Sequence, residues 1–308
     1  MKNLLPILLP IFLMISFNGN CSQSFSFRNV SEIPLSEVEV LVELYYQTNG
    51  SDWLQNRNWL ETNTPSSWYG ITVINGHVQS INLGSNKLSG EIDVNFSALP
   101  YLEELFLYNN KITGSIPENI CNLPELKLIN FGYNQLTGTI PQEIGRLSTL
   151  EELILCYNNI EGEIPNSIIK LHSLKGISLS YNRLTGLLPD SVCQMKQMVL
   201  FTVSNNYLGG NLPCAFQEME NLQWLNLSNN NFSGEIPASI CYLKDLTRID
   251  LSNNQFTGNI PSEIVFLENL RFIDVTNNSL TGILPDNLHE MKNLKGFLYS
   301  NNQLAIRN

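Results

Sequence analysis

The sequence predicts an α/β repeat solenoid, a stack of short strands and short helical turns behind a helical N-terminal cap. Three observations carry that prediction. An apolar residue opens a new unit every 24 residues, at Val78, Leu102, Leu126, Leu150, Leu174, Met198, Leu222, Leu246, Leu270 and Leu294, with no insertion between units. Every unit repeats one pattern, LxxLxLxxNxLxGxIPxxIxxLxx, and the tenth stops after 15 residues. The segment ahead of them, residues 24–77, lacks the pattern and holds three of the four tryptophans. A fixed period of this size marks a solenoid, because one such unit cannot bury its apolar side alone and must stack on copies of itself.

Each element of the unit has its own reason. Apolar residues alternating at positions 4 and 6 predict a short strand with one buried face. Position 9 is asparagine throughout: Asn86, Asn110, Asn134, Asn158, Asn182, Asn206, Asn230, Asn254, Asn278 and Asn302. A chain that turns inward after a strand leaves buried backbone groups without partners, at about 1–3 kcal/mol each. An inward amide carries two donors and an acceptor, so stacked copies are expected to form a structural ladder along the core. Position 13 is glycine from Gly90 to Gly282, as a tight backbone path requires. Position 16 is proline from Pro117 to Pro285, with Asp93 standing there in the first unit. Proline ends the extended segment and opens a short helical turn, whose apolar positions 19 and 22 complete the core.

The N-terminal segments differ. Residues 1–23 carry one Lys, an apolar run from Leu4 to Phe17 broken by Pro6 and Pro10, and then small and polar residues. That is the layout of a cleaved secretory signal peptide, and the run is short for a membrane span. The alternative is a lipid anchor at Cys21, although Asn20 before it is not the small residue that lipidation requires. In the cap, Ser36 and Glu39 form a capping-box pattern, and Val38, Leu41, Val42 and Tyr45 recur at helical spacing up to Asn49-Gly50. Asn75-Gly76 between apolar residues signals a hairpin, and Trp53, Trp59 and Trp68 are expected to fill the cap.

With these residues in view, the units resemble leucine-rich repeats of the plant-specific subclass, whose hallmark is the LxGxIP segment. The resemblance covers residues 78–308 and implies a right-handed, curved solenoid with a parallel sheet on its concave face. The stretch from Asn49 to Thr72 is similar to the cap of such proteins. Plant members pair two cysteines there, where Ser66 and Val73 stand in this chain, so the cap resembles the Cys-free caps of bacterial and protist relatives.

Composition narrows the function. With 43% hydrophobic and 15% charged residues the chain is globular, and its net charge of −11 with no Lys/Arg cluster argues against a nucleic-acid partner. No apolar segment after the signal is long enough to span a membrane. Catalysis finds no motif: His77, His172 and His289 are far apart, and the HExxH-like stretch at 289–293 ends in Asn293 instead of a second ligand. An enzyme, a metal site and a cofactor are therefore not expected.

Positions 3, 5, 7 and 8 vary between units, and on the implied fold they face the concave side. Phe106, Tyr108, Leu128, Tyr133, Ile154, Tyr157 and Tyr181 make the first half of that face aromatic and apolar, with Glu104 and Glu152 at its border. Exposed aromatics on rigid strands are anchors for a partner. The competing expectation is that Tyr133, Tyr157 and Tyr181 merely stack and shield the sheet. Farther on stand Trp224, Arg248 and Phe272 at position 3 with Asp250 and Asp274 at position 5, a patch that continues the site or binds a basic partner, unless Arg248 is closed with the two Asp residues as salt bridges. Serine or threonine at position 12, interrupted by Glu161 and Gly209, is the subclass consensus and only secondarily an ice-binding row.

Five cysteines follow the signal segment, too widely spaced for a metal site, and Cys193 with Cys214 is the candidate disulfide. Sequons stand at Asn29, Asn49, Asn95, Asn226, Asn231 and Asn277. The resemblance implies recognition of an extracellular protein, peptide or glycan at the cell surface, in a receptor-like role or as a hydrolase inhibitor like the polygalacturonase-inhibiting proteins. The alternative is a structural or adhesive surface protein, ice binding included, without a discrete ligand site. At the C-terminal end Tyr299 replaces a core leucine and no cap follows, so the sequence leads one to expect either a longer parent protein or association through that end.

Overall fold

The computed structural model describes residues 30–305. The expected signal peptide, Cys21 and Asn29 lie outside them. Helix α1 (Leu35–Gln47) leads into a hairpin of β1 (Ile71–Ile74) and β2 (His77–Asn82). The antiparallel hairpin turns at Asn75 and Gly76, both with positive φ (52° and 80°). From β2 onward every unit adds one parallel strand, from Glu104–Phe106 to Gly296–Leu298, giving an eleven-stranded sheet in sequence order. Register is conserved: Trp224 faces Arg248, which faces Phe272. After each proline comes a 3-10 turn, such as Glu118–Asn122 or Gln142–Arg146, and these turns form the opposite wall. Between the walls lies one continuous apolar core.

The asparagine ladder runs the length of this core. Asn134 donates from its amide to the Leu107 carbonyl of the preceding unit (2.9 Å) and to its own Phe131 carbonyl (3.1 Å), and its Oδ1 accepts from the Ile112 N–H (3.0 Å). Each unit thus satisfies the backbone of its neighbour. At the start of the ladder Asn86 turns to the cap, donating to the Gln55 carbonyl and accepting from the Gln55 N–H. At the far end Asn302 repeats the pattern on Val275, Tyr299 and Leu280.

The cap grips the first unit by equally specific means. The Gln47 side chain accepts from the Asp93 N–H (2.7 Å) and donates to the Asp93 carbonyl (3.1 Å), at the position where later units carry proline. Gly90 has φ 115°, and a Cβ there would run into the Gln47 carbonyl, so glycine is required at the junction. Trp53, Trp59 and Trp68 are buried with their rings about the same centre, 5.0 Å apart in sequence order, and each indole N–H reaches a carbonyl, Thr48, Tyr69 and Thr62 respectively. Buried indoles need such partners.

Two sequence expectations are corrected. The Ser36–Glu39 capping box does not form: α1 begins two residues earlier than that box requires, Pro34 occupies the N-cap and no side chain caps it. The Pro34 carbonyl accepts from the Glu37 and Val38 N–H groups, so the helix is already under way at Ser36, which lies inside the first turn instead of capping it. Nor do Cys193 and Cys214 pair. Both are free thiols, Cys193 turned into the core and Cys214 exposed on the next turn, so their side chains point to different media. A feature unforeseen in the sequence is a second set of short parallel pairings beside the main sheet, such as Arg183–Thr185 with Glu161–Glu163. Its signal was the alternation of exposed and buried residues at positions 10–13.

Candidate functional site

The outer face of the main sheet is built from side chains that alternate away from the core. Phe106, Tyr108, Leu128 and Ile154 are half-buried there, and the Tyr108 ring lies over Gly84, where a side chain would collide with it. Beyond them the face divides into two aromatic groups.

The first is the column at position 8. Tyr133, Tyr157 and Tyr181 all have left-handed backbones, with φ of 58°, 55° and 57°. Their rings stack in parallel, at 4.3 Å and 14° for the first pair and 4.1 Å and 11° for the second. They are 52%, 39% and 45% exposed, so the stack stands in solvent. The same position is left-handed in every other unit and is held there by Ser85, Asn109, Asn205, Asn229, Asn253, Asn277 and Asn301. Asparagine tolerates that conformation and tyrosine does not, at about 1–2 kcal/mol per residue. Three consecutive tyrosines therefore stand where local preference selects asparagine. The Tyr157 phenol is pushed up to about 12, first by its hydrogen bond with Tyr181, then by desolvation and the neighbouring phenols.

The second group lies at position 3. The Arg248 guanidinium carbon is 5.1 Å from the Trp224 ring centroid and 5.0 Å from that of Phe272, so the cation is held between two aromatic faces. The salt bridges weighed for Arg248 are not made. Asp250 accepts from the Ser252 N–H (3.1 Å) and hydroxyl (2.7 Å), and Asp274 accepts from the Thr276 N–H (2.9 Å), so both carboxylates turn along their own strands. Sequence alone could not choose, since both partner types lay within reach.

The two groups do not converge. Units opening at Leu126, Leu150 and Leu174 carry the tyrosines, and those opening at Leu222, Leu246 and Leu270 carry the Trp–Arg–Phe sandwich. The floor between them is low, with Gly176, Ser178, Ser180, Thr202 and Ser204, the last joined to Ser180 hydroxyl to hydroxyl at 3.0 Å. Elsewhere His77 is bonded to the buried Glu37 (2.6 Å), and His289 to the Asp286 carbonyl. Among the described residues no group of three His, Cys, Asp or Glu is placed to hold a metal. No described helix is long and apolar enough to cross a membrane.

Leucine-rich repeat models match residues 76–136, 148–208, 201–256 and 269–291. The chain belongs to the leucine-rich repeat family. No curated protein matches it. Among solved structures it is similar to the leucine-rich-repeat ectodomain of the plant membrane receptor kinase GASSHO1/SCHENGEN3 from Arabidopsis thaliana, in complex with CASPARIAN STRIP INTEGRITY FACTOR 2 (TM-score 0.84, 30% identity, 87% of this chain and 33% of that one). It is also similar to the Arabidopsis receptor kinase HAESA in complex with the peptide hormone IDA and the co-receptor SERK1 (TM-score 0.65, 34% identity, 71% and 36%). The chain thus spans about a third of the length of these ectodomains. A plant ice-binding protein shares the fold at 22% identity (TM-score 0.66, 89% and 99%). On the leucine-rich-repeat fold the main sheet is the concave face, so both aromatic groups lie on it.

Proposed function

We propose that this leucine-rich repeat chain is an exported recognition module whose concave face binds a protein or peptide. The observation that carries the reading is the tyrosine column: three half-exposed rings kept in a backbone conformation that disfavours them, where asparagine serves in the flanking units. The gain from burial is small there, so the residues are better explained by what they present. Parallel stacking covers the ring faces that meet inside the column, while the three residues stay exposed. A sugar ring binds an aromatic through its face, so the column suits a peptide or protein surface better than a glycan. Rigid strands also reduce the ordering that binding demands. The peptide-hormone complex of the similar receptor kinase HAESA supports the same class of ligand, and the similar GASSHO1/SCHENGEN3 ectodomain supports a receptor-like role outside the cell.

A structural or adhesive role is the second reading, and the stacking favours it too, since rings that satisfy each other need no ligand. Ice binding fits less well because the position-12 hydroxyl row is broken at Glu161 and Gly209. Affinity capture from the host's extracellular medium separates the readings, with residues 24–308 as bait beside the Tyr133→Ser/Tyr157→Ser/Tyr181→Ser variant. A recognition module retains a partner that the folded variant loses. Equal capture by both, or none by either, supports the structural reading.

A further inference from the structure

The Trp224–Arg248–Phe272 sandwich has the features of a built site. Three in-register positions supply ring, cation and ring, and the next strand carries Gly296, whose missing side chain leaves room for the Phe272 ring; a Cβ there would stand 2.8 Å from Phe272 Cδ2. Both acids that could neutralise Arg248 are engaged by backbone N–H groups instead. Arg248 is an exposed residue, and among the described residues no ion pair and no hydrogen bond occupies its guanidinium.

We propose that Arg248 is the carboxylate-reading group of the concave face, taking an acidic residue of a bound peptide; this deepens the peptide-recognition reading and rests on it. Aromatic faces carry the negative part of the ring quadrupole, so they hold the flat cation by its two faces and leave its N–H edge outward. That edge is a fixed fork of donors matching the two oxygens of a carboxylate. Clamping also removes much of the side-chain freedom that an exposed arginine would otherwise lose on binding.

Asp250 and Asp274 set a second requirement. They stand one strand apart at position 5, two residues along from Arg248 and Phe272, on the same face. A lone anion arriving at Arg248 meets their repulsion, whereas a peptide with a basic residue beside its acidic one offsets it. The ligand class is thus a peptide with adjacent acidic and basic side chains. An acidic polysaccharide, which brings carboxylates alone, does not fit.

The test is a random twelve-residue peptide display library selected on the wild-type chain and on Arg248→Gln, which keeps a polar side chain but removes the charge and the guanidinium fork. Wild-type selections should be enriched in acid–base pairs and Arg248→Gln selections should not. A selected synthetic peptide should bind Arg248→Gln about 10- to 100-fold more weakly, and changing its acidic residue to the amide should weaken wild-type binding while hardly affecting the variant. Peptides selected without acidic enrichment, or amide peptides that bind equally well, overturn the role of Arg248 and leave peptide recognition standing. If no peptide is selected while oligogalacturonate binds in an Arg248-dependent manner, the carboxylate comes from a sugar and the peptide proposal fails. If neither binds, both readings fail.

Discussion

The Tyr157 ring lies flat on the Tyr181 ring, 4.1 Å between centroids and 11° between planes, with both residues in the left-handed region of backbone space. That pairing joins a strained backbone to an exposed aromatic surface, the combination on which the proposed function rests.

Replacing Tyr133, Tyr157 and Tyr181 together by asparagine restores the residue that Asn109 and Asn205 supply at either end of the column. Relief of backbone strain, about 1–2 kcal/mol at each of three residues, opposes loss of ring stacking, about 0.5–1.5 kcal/mol at each of two pairs. Thermal stability should therefore hold or rise while ligand capture is lost. A large drop in stability would mean that the column serves the fold.

The phenols of this column confer a defined pH response. Tyr157 is held up to about 12 against 10.0 for a free phenol, so the folded state retains its proton where the unfolded chain releases it. The associated stabilisation is complete below about pH 10 and is lost as pH rises through about 12. Burial raises Tyr45 in the cap in the same direction. Phenolate absorbance should report at least one late-titrating tyrosine in wild type, and Tyr181→Phe should bring Tyr157 back towards the ordinary value.

The ladder predicts the opposite balance of stability and binding. Asn182 is buried and donates to the Leu155 and Leu179 carbonyls, both at 3.0 Å, while accepting from the Ile160 N–H at 3.0 Å. Asn182→Ala strands these backbone groups in two adjacent units and should cost about 2 kcal/mol or more. Urea unfolding measures it directly.

Cysteine labelling checks the core and the corrected pairing together. Burial pushes the Cys121, Cys193 and Cys241 thiols up to about 12, so they should resist alkylation in the native state. Cys214 is exposed and should react first, ahead of half-buried Cys156. All five should alkylate after unfolding without reductant. Two that fail to do so would reinstate the disulfide.

How far the sequence was legible follows from what each feature depends on. The ladder from Asn86 to Asn302 was legible because backbone satisfaction in a stack imposes one residue at one period. Trp53, Trp59 and Trp68 were legible as cap because they stand ahead of the first repeat, whose open apolar end needs large side chains to cover it. The left-handed column was hidden behind its tyrosines, although the asparagines at 205, 229, 253, 277 and 301 carried the signal that would have exposed it. Arg248 was ambiguous for a different reason: aromatic rings and carboxylates stood equally near in the pattern, and only the turns that engage Asp250 and Asp274 decided between them. Ser36 failed as a cap because Pro34 set the helix start before it.

On the proposed function, the tyrosine column on the concave face is where a partner is held. Hydroxyl-radical footprinting of the chain with its captured partner tests this most directly, reading oxidation of Tyr133, Tyr157 and Tyr181 against Tyr242 and Phe266, an exposed pair on the 3-10 wall. Protection of the three tyrosines with the latter pair unchanged is the predicted result. Protection confined to Tyr242 and Phe266, or an unaltered tyrosine column, would contradict it.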